Sequence, residues 1–152
     1  MNSSTPESQI QVLIVEDNPV DLYFLQQALK TEERNWRAIA VDDGEPALRF
    51  LRRDEPYENE PPPDLVILDL NLKRVDGREV LSYIRVTPEL RETPVAIVSS
   101  SPTDLMRSEN LQANCYVHKP SDLDAFLGLG KILWQCYLRN RPSNNTPGES
   151  PA

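Results

Sequence analysis

Acidic and basic side chains stand at the ends of several short apolar runs of this sequence. Glu16 and Asp17 follow the first run. Asp69 directly follows Leu-Val-Ile-Leu, and Lys119 follows the last run. Carboxylate oxygens are the ligands that Mg²⁺ prefers, and a carboxylate beside such a cation is a sufficient nucleophile for a phosphoryl group. These residues therefore predict a Mg²⁺-binding crevice in which Asp69 accepts a phosphoryl group.

Each of these side chains also has a structural interpretation without chemistry. Glu16 and Asp17 would favour the positive N-terminus of a following helix, and Lys119 alone would be an ion-pair partner. Ser99, which ends another run, would be a small polar residue. Asp69 is the hardest to explain in this way, because burial and nearby negative charges disfavour an ionised carboxylate unless a cation is present. We therefore interpret the set as one site.

The elements that must position these residues alternate between strand and helix. Five runs predict strands, at about residues 10–15, 36–41, 65–68, 94–98 and 115–118. Helix signals follow them, beginning at Pro19, at about 45, at Asp76, after Ser101-Pro102 and at about 121. The last of these helices is predicted to continue to about Asn140 without a break. Runs that are apolar on both faces predict a parallel sheet between helices, and the carboxyl ends of parallel strands meet at one edge.

The predicted site divides into metal ligands and phosphoryl contacts. We expect Mg²⁺ to be bound directly by the carboxylates of Asp17 and Asp69 and by the backbone carbonyl of Asn71. The Glu16 carboxylate is expected to bind it through water. Lys119 and the Ser99 hydroxyl are expected to hold the remaining phosphoryl oxygens.

Composition excludes some classes of binding partner and predicts how the chain is divided into domain and tails. The 152 residues carry a formal charge of −8, which disfavours nucleic acid and anionic membranes as partners. Residues 9–140 are expected to form one domain between disordered tails at 1–8 and 141–152. Without a signal peptide pattern or an apolar run of membrane-spanning length, we expect a cytoplasmic protein. Cys115 and Cys136 are accordingly expected to be reduced thiols.

Five motifs resemble the receiver domain of two-component response regulators: Val-Glu-Asp-Asn-Pro at 15–19, Leu-Asp-Leu-Asn-Leu at 68–72, Val-Asp-Gly at 75–77, Ser-Ser at 99–100 and Tyr-Val-His-Lys-Pro at 116–120. The resemblance implies a flavodoxin-like (CheY-like) three-layer sandwich with five helices and a five-stranded parallel sheet of order 2-1-3-4-5. It implies that Asp69 receives its phosphoryl group from a sensor histidine kinase, and that Ser99 and Tyr116 form the switch. It also implies a cis peptide bond at Lys119–Pro120.

A narrower resemblance is to the small regulators paired with bacterial and cyanobacterial phytochromes. It rests on the segments 16–21, 76–81 and 114–116 and on the proline-rich insert before the third strand. It implies a phytochrome-type kinase as the partner. Lys73 departs from the family pattern, which usually has proline at this position beside the site.

The last helix carries two apolar stripes, whereas a helix that is buried on one side needs only one. We interpret the stripe of Leu129, Ile132, Leu133 and Cys136 as the face of a homodimer. The alternative is a single wide stripe against the core. Because this helix ends near Asn140, no output domain is expected, and the domain would signal by contact with a downstream protein.

Two other functions are alternatives to a phosphate-accepting receiver domain. Aspartate-nucleophile phosphatases also use a strand-end aspartate with Mg²⁺, but they resemble Asp-x-Asp, in which the second aspartate is an acid and base. Asn71 stands at that position and cannot shuttle protons, so we expect at most slow autophosphorylation and autodephosphorylation. The other alternative is a receiver-like scaffold that takes no phosphate.

Overall fold

A five-stranded parallel sheet runs through the centre of the protein, in a computed structural model that describes residues 9–101 and 112–142. In chain order the strands are β1 (Ile10–Val15), β2 (Trp36–Val41), β3 (Leu65–Leu68), β4 (Val95–Ser99) and β5 (Cys115–His118). All neighbouring strands are parallel, and their spatial order is β2-β1-β3-β4-β5. The α/β class and the strand order predicted from the sequence are thus confirmed.

Helices cover both faces of this sheet. Those that the structure describes are α1 (Pro19–Thr31), α2 (Gly44–Arg52), α3 (Gly77–Val86), α4 (Leu123–Leu127) and α5 (Leu129–Asn140). The Asn18 side chain caps α1 by accepting hydrogen bonds from the N–H groups of Val20 and Asp21. Asp76 caps α3 in the same way, as predicted. None of these five helices is long and apolar enough to cross a bilayer.

The end of the chain differs from the prediction of one continuous final helix. Gly128 separates α4 from α5, and its N–H donates to the carbonyl oxygen of Asp124 at 3.0 Å. Glycine is a poor residue for the interior of a helix because it loses the most backbone entropy there, so Gly128 is a favourable position for the break. The helix predicted after Ser101-Pro102 and both predicted tails, apart from 141–142, lie outside the described residues.

Side chains of each strand alternate between two apolar cores, as the pleat of a strand requires. Leu13 and Val15 of β1 point to the core beneath α2 and α3. Val12 and Ile14 point to the core that contains residues of α1, α4 and α5. The predicted three-layer sandwich is therefore observed, and it explains why the strands are apolar at almost every position.

The peptide bond between Lys119 and Pro120 is trans, which corrects the cis bond implied by the resemblance. Within the described residues, the cis bond is Glu55–Pro56, in the loop between α2 and β3. Trans is the intrinsically preferred isomer of X–Pro bonds. It is also compatible with continued pairing of β4 and β5, because the Lys119 N–H donates to the Ser99 carbonyl oxygen at 2.8 Å.

The closest approach between α1 and α5 predicts a sensitive position. A Cβ atom at Gly130 would overlap the backbone carbonyl of Ala28. We expect Gly130→Ala to lower the free energy of unfolding by about 1–3 kcal/mol, as overpacking does in cores. Gly128→Ala is the matched control, because Gly128 is exposed and already has helical dihedral angles, and it should change stability by no more than about 1 kcal/mol. Urea unfolding measures both, and equal effects would contradict the close-packing account.

Candidate phosphoacceptor and metal site

Three carboxylates meet beyond the ends of β1 and β3. Glu16, Asp17 and Asp69 each offer an oxygen within 4.8 Å of those of the other two. The parallel pairing sets this arrangement, since the Asp69 N–H donates to the carbonyl oxygen of Val15 at 3.0 Å and so aligns the two strand ends. Glu16 and Asp69 are buried, whereas Asp17 is half-buried at the mouth of the crevice.

Lys119 crosses to this cluster from β5, at the far side of the sheet. Its Nζ atom lies 2.8 Å from Glu16 Oε1, 2.8 Å from Asp21 Oδ2 and 2.9 Å from Asp69 Oδ2. Burial alone would lower the pKa of Lys119, but the hydrogen bonds with Asp21 and Asp69 and the ion pair with Glu16 outweigh it and hold that pKa above its ordinary range. The side chain therefore remains a cation that three carboxylates share.

Asp21 is the site residue that the sequence analysis missed. It lies in the first turn of α1, and its carboxylate accepts a hydrogen bond from Lys119 Nζ at 2.8 Å. The residues predicted from the sequence all lie at or just after the ends of strands, whereas Asp21 lies in a helix. The available signal was its place in the first turn of the helix that directly follows the carboxyl end of β1.

Glu16 has the most perturbed electrostatics of the cluster. Burial raises its pKa from 4.5 to about 7, the negative charge of Asp69 adds to the increase, and Lys119 and the Asn18 N–H oppose it. Its Oε2 atom accepts a hydrogen bond from that N–H at 3.1 Å. Its Oε1 atom forms the ion pair with Lys119 but no hydrogen bond of acceptable angle within the described part of the chain. A buried carboxylate in this condition has unused capacity for another positive partner.

These residues fit a hard divalent cation. Four carboxylates, those of Glu16, Asp17, Asp21 and Asp69, surround one ammonium, so the cluster carries excess negative charge. All the candidate ligand atoms are oxygens, and the half-exposed Asp17 leaves room for coordinated water, which suits Mg²⁺ and similar ions. The predicted carbonyl ligand belongs to Asn71, an exposed residue whose N–H donates to Asp69 Oδ1 at 3.0 Å.

Ser99 and Tyr116 occupy the strands on the other side of Asp69. Ser99 is fully buried at the end of β4, and its hydroxyl oxygen accepts a hydrogen bond from the Ser101 N–H at 3.2 Å. Tyr116 is half-buried in β5 and packs against the core beneath α2 and α3. The structure thus brings Ser99 to the same sheet edge as Asp69. It places Tyr116 on the face of the sheet that α2 and α3 cover.

Asp43 is a second acidic residue whose role the sequence did not reveal. Its buried carboxylate accepts hydrogen bonds from the N–H groups of Gly44 at 2.6 Å, Val75 at 3.0 Å and Arg74 at 3.1 Å. Burial alone would raise the pKa of Asp43, but these backbone donors outweigh it and lower that pKa. The loop after β3, which carries Lys73, is therefore fastened to the start of α2 without the usual proline. Between them lies a cleft of about 600 Å³.

A family model for the response regulator receiver domain matches residues 12–129. The chain belongs to this family. Among relatives, the receiver is 40% identical over 114 residues to response regulator Rcp1 of Synechocystis sp., covering 74% of this chain and 78% of that protein. It is 36% identical over 116 residues to the probable methanogenesis regulatory protein FilR2 of Methanothrix harundinacea, covering 75% and 74%.

Solved receivers have the same fold. The phosphorylated cyanobacterial phytochrome response regulator RcpA matches with a TM-score of 0.79 at 35% identity, over 91% of this chain and 98% of that one. The Mn²⁺-bound form of Rcp1 matches with a TM-score of 0.76 at 34% identity, over 90% and 97%. The predicted family, the CheY-like fold and the likeness to phytochrome response regulators are confirmed by these comparisons.

Most of the apolar stripe assigned to a dimer face is buried within the single receiver. Leu129, Leu133 and Cys136 of α5 belong to the core that α5 shares with α1, while Ile132 is 47% exposed. The alternative of one wide stripe against the core describes the first three residues. They are buried because α5 contacts both the sheet and α1.

The two cysteines of the receiver form a disulfide, which corrects the expectation of reduced thiols. Cys115 in β5 and Cys136 in α5 are 21 positions apart, and their Cα atoms are separated by 6.3 Å. That separation is within the range of natural disulfides. The expectation of thiols rested on the assumed compartment and on the absence of a CxxC motif, and neither reports how β5 and α5 pack.

The raised pKa of Glu16 predicts a pH-dependent stability in the absence of divalent metal. Between the ordinary pKa of 4.5 and the folded value of about 7, the folded state keeps a proton that the unfolded chain has lost. Stability from this group is thus present at low pH and decreases as the pH rises through that window. Glu16→Gln removes the titration, so its stability relative to wild type should increase from about pH 5 to about pH 8.

Urea unfolding in EDTA across this pH range measures the difference. Glu89→Gln is the control, because Glu89 is an exposed glutamate far along the chain from the cluster, and its profile should parallel the wild type. If the Glu16→Gln and wild-type profiles were parallel as well, the assignment of a raised pKa to Glu16 would be wrong.

Proposed function

We propose that this receiver is a response regulator that stores a phosphoryl group on Asp69 and signals by protein contact. The observation that supports this most strongly is the Asp69 carboxylate itself, buried, hydrogen-bonded to Lys119 and grouped with Glu16 and Asp17. A buried carboxylate cluster that shares one ammonium is costly as a purely structural feature. It is well suited to hold a cation and an incoming phosphoryl group.

The proposed donor is the phosphohistidine of a sensor histidine kinase. A carboxylate oxygen of Asp69 forms a bond to phosphorus, the phosphorus–nitrogen bond breaks, and the imidazole leaves with the electron pair. Lys119 and the Ser99 hydroxyl bind phosphoryl oxygens, and both residues already lie at this sheet edge. The reaction needs positioning more than covalent assistance, which these buried groups supply.

The proposed cation is Mg²⁺. The residues that would hold it are Asp17 and Asp69 through their carboxylates, Asn71 through its backbone carbonyl and Glu16 through water. When bound, it supplies positive charge to the phosphoryl oxygens. Mn²⁺ in the Rcp1 structure supports a divalent ion at a site of this kind, and an all-oxygen ligand set suits Mg²⁺ as it suits Mn²⁺.

The phosphorylated state is proposed to persist. Asn71 offers no acid or base two positions after Asp69, so neither rapid hydrolysis nor a phosphatase cycle is supported, and self-phosphorylation and self-dephosphorylation would be slow. The signal would pass from Ser99 to Tyr116 as the serine moves toward the phosphoryl group and the tyrosine turns inward, a shift between two conformations. The readout is contact with a downstream protein.

A phytochrome-type kinase is the proposed partner, in the cytoplasm. RcpA is a phytochrome response regulator, and this chain covers 98% of it at 35% identity. The bacteriophytochrome response regulator AtBRR adds a further match, at 36% identity and a TM-score of 0.69. A cytoplasmic location is proposed because phosphotransfer must take place where the ATP-fed kinase module acts.

Incubation with Mg²⁺ and acetyl phosphate, followed by intact mass measurement, tests the phosphoacceptor. We expect one phosphoryl group per chain, none in Asp69→Asn and none in EDTA. Asp124→Asn is the matched control, since Asp124 is an exposed aspartate in α4 and the variant should be labelled like wild type.

Continuous release of phosphate at enzyme-like rates would support the phosphatase, and no adduct under any condition would support the scaffold. A phosphorylated phytochrome-type kinase should give the same pattern, with wild type and Asp124→Asn labelled and Asp69→Asn unlabelled.

The proposed homodimer is supported by exposed apolar side chains on α5, Ile132 at 47% and Leu138 at 38%. Sedimentation velocity with and without beryllofluoride, a phosphoryl mimic, should show a dimer that Ile132→Lys disrupts. Val86→Lys is the control, because Val86 is exposed on α3 at the opposite face of the sheet. A monomer under both conditions would contradict the dimer.

A further inference from the structure

The disulfide between Cys115 and Cys136 joins the start of β5 to the second half of α5. Its two sulfur atoms differ in access. Cys115 is half-buried, whereas Cys136 is 2% exposed and belongs to the core shared with α1. Cys115 is therefore the more accessible residue of the pair for an external thiol that approaches the folded protein.

A groove of about 430 Å³ opens beside this bond. It is lined by both cysteines and by four residues of α5: Lys131, Ile132, Gln135 and Arg139. Two of these carry positive charge, which stabilises thiolates and attracts anionic thiols. In the monomeric receiver, the groove thus gives a reductant of small size a route to Cys115 that does not require unfolding.

Asn140 completes the surroundings of the two sulfurs. Its Nδ2 atom lies 4.0 Å from the sulfur of Cys115 and 4.0 Å from that of Cys136. It is held there by donating to the Cys136 carbonyl oxygen at 2.8 Å. A sulfur that gains negative charge during exchange would therefore find an N–H donor already in place.

We propose that the Cys115–Cys136 pair is a reversible redox modification site that exchanges with small thiols and disulfides. This inference rests on the cytoplasmic location proposed above, because a disulfide in that reducing compartment is usually one that cycles. Its effect is local. Cys115 lies at the opposite end of β5 from Lys119, so breaking the bond releases α5 from the strand without changing the carboxylate cluster.

The exchange balances as two thiol–disulfide steps. A glutathione thiolate attacks the Cys115 sulfur, the disulfide breaks, and Cys136 leaves as a thiolate, which Asn140 can hydrogen-bond before it takes up a proton. A second glutathione thiolate attacks the glutathione sulfur of the mixed disulfide and releases Cys115 as a thiolate. Two glutathione molecules are oxidised to one disulfide, and their two protons end on the cysteines. Oxidised glutathione reverses both steps.

Native protein in glutathione buffers of defined ratio tests the site, with alkylation of free thiols followed by mass measurement. We expect both cysteines to become alkylated in reduced glutathione without denaturant, and the disulfide to return in oxidised glutathione. Amide hydrogen exchange should rise in the second half of α5 on reduction and stay unchanged in β1 and β3. A bond that resists reduction until the protein is denatured would overturn the proposal, as would native protein in which the bond never forms.

Neutralising the two positive charges of the groove gives a sharper test. The double variant Lys131→Gln/Arg139→Gln should react with anionic glutathione more slowly, by roughly threefold to tenfold, while neutral dithiothreitol is affected less. Lys30→Gln/Arg52→Gln changes the charge equally on residues that do not line the groove, and it should react like wild type. Equal rates for glutathione in all three proteins would rule out the groove as the route.

The same samples separate this inference from the proposed function. Acetyl phosphate should label Asp69 in the oxidised and the reduced protein alike. If labelling proceeds but the disulfide does not exchange, only the redox site is wrong. If the disulfide exchanges but Asp69 is never labelled, the phosphoacceptor is wrong and the redox site stands.

Discussion

The Lys119 ammonium is the interaction on which the rest of this structure depends. It draws together carboxylates from the end of β1, the end of β3 and the first turn of α1. Without it, buried Glu16 and Asp69 would repel each other in a medium that screens charge weakly. The sheet order matters for the same reason, because it places β1 and β3 side by side and β5 two strands beyond β3, where Lys119 reaches all three carboxylates.

The parts of the fold that were predictable are those that local chemistry decides. Strands such as Ile10–Val15 are short and rich in β-branched residues, and Asn18-Pro19 marks the start of α1. Predicting either element therefore requires no knowledge of tertiary contacts. The strand-end carboxylates were predictable for a related reason, since parallel strands bring their carboxyl ends to one edge whatever the details of packing. Asp21 escaped because its role depends on where a lysine almost a hundred positions later arrives.

Two features near the end of the chain that the sequence did not reveal, the burial of most of the α5 stripe and the disulfide, share a physical origin. A helix that lies in the angle between a sheet and a second helix is buried over more than one stripe, and α5 is such a helix beside α1. Amphipathic patterning cannot distinguish that situation from an intermolecular face. The same packing brings Cys136 to Cys115, a proximity that the spacing of the two residues in sequence does not contain.

Asp43 has a consequence for how an anionic donor approaches the crevice. The backbone N–H groups of Gly44, Arg74 and Val75 point at this carboxylate and are committed to it. They are therefore not available as the fixed amide cradle by which many proteins bind phosphates. Apart from a bound cation, attraction at the mouth of the crevice then comes from side-chain charge such as that of exposed Lys73. Unlike an amide cradle, that attraction is long-ranged and weakens as ionic strength rises, so it would assist the approach of the donor most in dilute salt.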